Sequence, residues 1–160
     1  MAREKPKWAQ DCPLRVGSMY PKSLAGVVAS REKNILGDIF GLTQFGVNQV
    51  RLKPGAASAH RHWHAREDEF VYVLAGELTL VMDAGETLLT PGMVVGFPAG
   101  ERDGHHLVNK SESDGVYLEI GTRSAEEVVD YPDVDLQAEK SDGCFIFRHK
   151  DGRPYDPDTD

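Results

Sequence analysis

The apolar segments of this chain are short, and each one ends in a turn signal. They read "VNQVRLKPG", "EFVYVLAG", "ELTLVMDAG", "ETLLTPG", "MVVGFPAG", "HHLVN" and "DGVYLEIG", rich in Val, Leu and aromatic residues and closed by Gly, Pro or Asn. Sixteen glycines and nine prolines are spread through the whole length. Runs this short are too brief for core helices and match the length of strands, so the pattern predicts an all-β sandwich or barrel. A chain of 160 residues is enough for one such domain with a full core.

Boundaries follow from where the pattern starts and stops. Residues 1–40 read as an irregular segment packing on the barrel, 41–125 as the barrel itself, and 126–160 as a C-terminal extension. Within the barrel, "DAGE" is expected to be a hairpin turn and "NKSESDG" a longer polar loop. "SAEEVVDY" (124–131) offers Ser124 as a cap with Glu127 three residues on, which predicts one short helix or turn. The extension ends in one strand, "CFIFR", a tight turn at "KDG" and a frayed acidic tail.

Charge excludes several functions. The formal net charge is −8, and the 18 Lys and Arg do not gather into a stripe. Neither nucleic acid nor an anionic membrane surface is expected as a partner, because both need clustered cations. "MAREKPKWAQ" has no apolar stretch of a secretory signal, and no run approaches a membrane span, so a cytoplasmic protein is expected. Cys12 and Cys144, the two cysteines, are expected to be free thiols.

Strand parity sorts the side chains, since successive residues of a strand face opposite ways. In "AHRHWHARED", His60, His62 and His64 share one face and Arg61 and Trp63 the other. In the following strand Glu69, Val71, Val73 and Ala75 share a face, opposite Phe70, Tyr72 and Leu74. Both faces are apolar, so the aromatic one needs a second cover, from a terminal segment or a partner subunit. With "CFIFR" as a possible cover, a homodimer is expected. Imidazoles at alternate positions of a strand project side by side, and a carboxylate from the neighbouring strand can close on the same point. A β-barrel can build a metal site in this way.

Two segments carry a longer pattern. In "GAASAHRHWHAREDEFVYVLAG", His62 and His64 are separated by one residue, Glu69 follows after four more, and Gly76 after six. In "GMVVGFPAGERDGHHLVN", five residues separate Gly92 from Pro98-Ala99-Gly100, and three separate His105 from Asn109. These resemble the two motifs of the cupin superfamily, small double-stranded β-helix (jelly-roll) barrels. Gly55 stands one residue further from His62 than the usual pattern, and four residues separate Gly100 from His105 where two are usual. The likeness extends over roughly 40–125.

The resemblance implies a jelly-roll cupin barrel and a metal site of His62, His64, Glu69 and His105. His106 points away from His105 in a regular strand; a bulge would exchange them. His60 falls outside the motif, and a register using His60, His62 and Glu67 would break the spacing to Gly76, so His60 is expected beside the site. Trp63 is expected to pack, and Glu67 and Asp68 to solvate a loop, with a general acid or base role as the alternative.

The implied cofactor is one divalent transition metal ion, Fe, Mn, Zn, Ni or Co, with two coordination positions open to a small-molecule ligand or substrate. Three functions fit such a site. The first is a metal-dependent enzyme on a small polar metabolite, such as a sugar or sugar-phosphate isomerase. The second is an iron-dependent dioxygenase, with an apolar lining from Val71, Val73 and Leu107. The third is a non-catalytic ligand-binding or sensing cupin. Arg51 and Lys53 are expected to point outward, with Leu52 inward, which leaves a phosphate without an evident cation.

Overall fold

The structure is a computed structural model and describes residues 4–156. Its strands are β1 (Leu14–Val16), β2 (Arg31–Ile35), β3 (Phe45–Leu52), β4 (Trp63–His64), β5 (Glu69–Ala75), β6 (Leu78–Met82) and β7 (Gly85–Leu89). They continue with β8 (Val94–Phe97), β9 (His106–Val108), β10 (Gly115–Thr122), β11 (Val128–Tyr131), β12 (Leu136–Ser141) and β13 (Cys144–Arg148). Every pairing is antiparallel, in three sheets ordered β1-β2-β3-β10-β5-β8, β13-β12-β11-β4 and β7-β6-β9. The fold is the expected all-β jelly roll. Among the described residues the only helical pieces are 3-10 turns, the longest at Lys22–Val28, and no helix is long and apolar enough to cross a membrane.

The barrel closes where inward residues of the large sheet meet those of the small one. Val50, Leu52, Val71, Val73 and Tyr117 pack against Leu78, Leu80, Leu89 and Leu107 as one buried cluster. Parity on β5 holds: Val71 and Val73 are 1% and 0% exposed, while Phe70, Tyr72 and Leu74 are 38–39% exposed. No described segment covers that aromatic face. "DAGE" forms the hairpin between β6 and β7, and "NKSESDG" the loop between β9 and β10. Gly76, at the end of the first motif, has φ 71°, and a Cβ there would stand 2.3 Å from the Asp114 carbonyl oxygen. Only glycine allows that approach.

Three expectations are corrected. The first forty residues are not merely irregular: β1 and β2 extend the large sheet by pairing with one another and with β3. Of the short helix or turn expected at "SAEEVVDY", the helix is absent: residues 125–126 form a bend, where Ser124 Oγ accepts from Glu126 N–H (3.2 Å). A capping box needs the Glu127 carboxylate to reach back to the Ser124 amide, but that amide donates to Glu67 Oε1 (2.7 Å), and Glu127 turns inward. The β-branched pair that follows enters β11, which pairs with β4 and with a strand not anticipated, β12. The third concerns the C-terminal extension, expected to hold one strand: it holds β11, β12 and β13, and "CFIFR" is β13 of a four-stranded sheet, with Phe145 and Phe147 packed against the cluster of Tyr131 and Ala138. The tight turn at "KDG" is present, with Gly152 N–H donating to His149 O. The acidic tail from 157 on lies outside the described residues. Cys12 is buried and Cys144 exposed, and both are free thiols.

Candidate metal centre

His62 and His64 do not lie on one regular strand over 60–64. Only Trp63–His64 is strand, and His62 forms an isolated bridge with His105. That bridge is reciprocal, His62 N–H donating to His105 O (3.1 Å) and His105 N–H to His62 O (2.9 Å), so the two backbones hold their imidazoles together. The four residues preceding His105 run as a loop, and Gly104 fits against Pro132, whose Cγ would meet a Cβ at 2.8 Å. β5 supplies Glu69 from its inner face, two places before Val71.

Four side chains converge. The Nε2 atoms of His62, His64 and His105 lie 3.8, 3.6 and 3.4 Å from one atom, Glu69 Oε2. Ligands bonded at about 2.0–2.2 Å to a common ion stand roughly 3 Å from one another, so modest closure about a cation would bring these atoms into place. His62 and Glu69 have the protonation such a site requires. His62 Nδ1–H donates to His60 O (2.9 Å), which leaves the Nε2 lone pair facing the cluster. Burial, and then the neighbouring His64, pull the His62 pKa down to about 3, so this ring is a neutral ligand. For His64 burial acts the same way, but the Glu69 carboxylate outweighs it and the pKa is raised. Burial works against the Glu69 anion, yet hydrogen bonding from His105 and His64 holds its pKa well below the usual carboxylate range. Phe97 stacks flat on His105 at 3.5 Å between centroids. The donor atoms of His62, Glu69 and His105 lie within 4.8 Å of one another, a spacing that one divalent cation can bridge, and His64 approaches the same group through Glu69 while also forming a second acidic group with Glu67 and Glu127.

The remaining residues singled out in the sequence fall around this cluster. His106 is outside it, its Nδ1 bound to Ala59 O (2.8 Å) on the other side of β9. The His60 ring is outside too; its Nε2 bonds Leu24 O (2.8 Å) and it packs on Tyr20. His60 thereby ties the Lys22–Val28 turn to the segment that carries His62 and His64. Trp63 bonds Asp130 through Nε1 (3.2 Å) and carries Arg102 over its ring. Glu67 is more than a solvating loop residue: it accepts from Ser124 N–H and from Lys140 Nζ (3.2 Å) and faces the pocket. Asp68 holds the Pro98–Gly100 loop through Ala99 N–H (2.8 Å).

Sequence reasoning missed two features. Glu127, 1% exposed, accepts from the amides of Ala65, Arg66 and Val128, and so fixes the chain just after His64. No local signal reveals this, because Ala65 and Arg66 are some sixty residues away along the chain. The second is a pocket of about 710 Å³ that opens above His62, His64 and Glu69. One wall is apolar and aromatic, with Tyr131, Phe145 and Phe147; the other carries Arg15, Arg31, Lys33 and Glu119 from β1, β2 and β10. Arg51 and Lys53 do point outward, to Asp114 and Glu32, but β1 and β2 bring other cations inside.

Comparison with known proteins agrees with this architecture. Residues 48–121 match the family model of the cupin domain. A sugar phosphate isomerase from a cupin superfamily, of Silicibacter pomeroyi, is 43% identical, with a TM-score of 0.90 over 96% of this chain and 98% of that one. A protein of Acidithiobacillus ferrooxidans, provisionally named a sugar phosphate isomerase, is 33% identical, with a TM-score of 0.72 over 79% of this chain and 81% of that one. The polyketide cyclase RemF of Streptomyces resistomycificus, 21% identical with a TM-score of 0.59 over 74% of this chain and 79% of that one, shares the fold. No curated protein matches the chain. Motifs, barrel and relatives coincide, and the chain belongs to the cupin superfamily.

Proposed function

We propose that this protein is a metal-dependent isomerase of a sugar or sugar phosphate, with His62, His64, Glu69 and His105 as ligands of one divalent ion. The observation that carries the reading is the convergence of three imidazole Nε2 atoms on Glu69 Oε2 at the floor of a pocket sized for a small metabolite. It is supported by two similar proteins whose names specify this activity. A divalent ion at that position would polarise the carbonyl of a hydroxy-carbonyl substrate.

Isomerisation moves one proton between adjacent carbons and a second from the hydroxyl oxygen to the former carbonyl oxygen, and requires no oxidant. The chain has carboxylates for this that are not needed as ligands: Glu67 and Glu119 both line the pocket. Each is positioned by a cation, Glu67 by Lys140 and Glu119 by Lys33 (2.7 Å). Asn48 also donates to Glu119 (3.1 Å), which fixes the carboxylate plane. Tyr131, Phe145 and Phe147 would exclude water from the opposite side of the substrate.

The dioxygenase reading keeps the metal site but loses the expected lining, because Val71, Val73 and Leu107 belong to the closed core rather than the pocket wall. A purely binding protein is the less economical reading, given two oriented carboxylates beside the ligand cluster. Assaying protein loaded in turn with Mn, Fe, Co, Ni and Zn against aldose and ketose phosphates, with proton NMR detection, should show interconversion of at least one pair. Absence of turnover with every metal would contradict the proposal.

We also propose that two copies associate through the outer face of the large sheet, where Phe70, Tyr72, Leu74 and Val94 are 38–53% exposed beside Leu118 and Ile120. Light scattering behind size exclusion should give twice the chain mass, and a monomer at micromolar concentration would refute it.

A further inference from the structure

The pocket is lined by three cations and three carboxylates, but they do not form three pairs. By register, Arg15 on β1 faces Lys33 on β2, and Arg31 lies two places before Lys33, so all three share one face of the sheet and line the pocket. The carboxylates in the same pocket are already engaged. Glu69 is committed to the three histidines, Glu119 to Lys33 and Glu67 to Lys140. Two guanidinium groups remain. Arg15 has no ion-pair or hydrogen-bond partner among the described residues. Arg31 meets only carbonyl oxygens, Ser58 O (2.5 Å) and Gly17 O (2.7 Å), and its buried Nε has no acceptor.

Neutral carbonyls fix the direction of the Arg31 fork without neutralising it. A cation held half-buried with no anion is costly unless a ligand brings the counter-charge. Guanidinium groups suit a tetrahedral oxyanion: Arg15 has its whole fork free, and Arg31, with one N–H of each terminal nitrogen on a carbonyl, keeps the second N–H of each for a ligand. The opposite wall of Phe145 and Phe147 suits the carbon skeleton of a ligand whose charge is at one end.

We propose that the inner face of β1 and β2 is a phosphate subsite in which Arg15 and Arg31 bind the phosphate of the substrate, with Lys33 holding Glu119 beside it. This rests on the isomerase reading only for what the phosphate is attached to. The N-terminal segment is then the part of the chain that selects a phosphorylated sugar over a free one.

The test is calorimetric titration of inorganic phosphate into metal-loaded wild type, Arg15→Ala, Arg31→Lys and His62→Ala/His64→Ala. Arg15 is exposed and unpartnered, so its removal leaves the fold intact; Arg31→Lys keeps the charge but loses the fork. Wild type should bind phosphate saturably, and each arginine variant should weaken it by about tenfold, the loss expected for one charge-assisted contact. The histidine double variant should stay within about threefold, since it leaves these contacts unchanged. Arginine variants that bind like wild type would overturn the subsite. So would loss of binding in the histidine variant, which would mean phosphate sits on the metal, or a wild type that binds none. In turnover assays Arg15→Ala should raise KM for a sugar phosphate and leave that for the free sugar unchanged. Arginine-dependent phosphate binding without turnover of any sugar phosphate would sink the isomerase reading and keep the subsite. Turnover insensitive to both arginines would do the reverse.

Discussion

Strands β3, β5 and β10 change character along their length, and the two ends of the barrel differ accordingly. At the closed end their inward residues are Val50, Leu52, Val71, Val73 and Tyr117, all at most 1% exposed. At the open end the same faces present Asn48, Glu69 and Glu119 to a pocket. The contrast separates two tasks. Burial at the closed end supplies stability and stiffens the strands, so the open end can hold charged groups at fixed spacing without filling the space between them.

That division can be broken from either side. Leu52→Ala should have the largest effect on stability, about 2–5 kcal/mol in denaturant unfolding, from lost burial plus a cavity. Metal stoichiometry of the folded fraction should be unchanged; a loss of metal binding would show that the two ends are not separable. Glu127→Gln should cost less, about 1–3 kcal/mol, because it disturbs a carboxylate receiving three backbone amides. It should also weaken metal binding, since Ala65 and Arg66 adjoin His64. Unchanged metal affinity in a competition titration with a chromogenic chelator would confine Glu127 to stability alone.

The same contrast explains how much could be read from the sequence. β5 was legible because its two faces are both marked, Val71 and Val73 against Phe70 and Tyr72, and period 2 separates them. The spacing that set His105 apart from His106 was legible too, because the two point to opposite sides of β9. β1 and β2 were not legible. Their inward residues are Arg15, Arg31 and Lys33, so the rule that apolar side chains face the interior fails where the interior is a polar pocket. Glu127 was misread for a different reason. A cap is judged from residues three apart, but the partners of Glu127 come from a distant loop, and competition from Glu67 for the Ser124 amide is a tertiary fact.

The central claim is that His62, His64, Glu69 and His105 hold one metal ion. Elemental analysis of untagged protein purified without added metal, beside His62→Ala/His64→Ala and His106→Ala, tests it most directly. The account predicts about one equivalent of a divalent transition metal in wild type and in His106→Ala, and none in the double variant. A wild type that contains no metal and takes up none on dialysis against each candidate ion would contradict it, as would a double variant that retains a full equivalent.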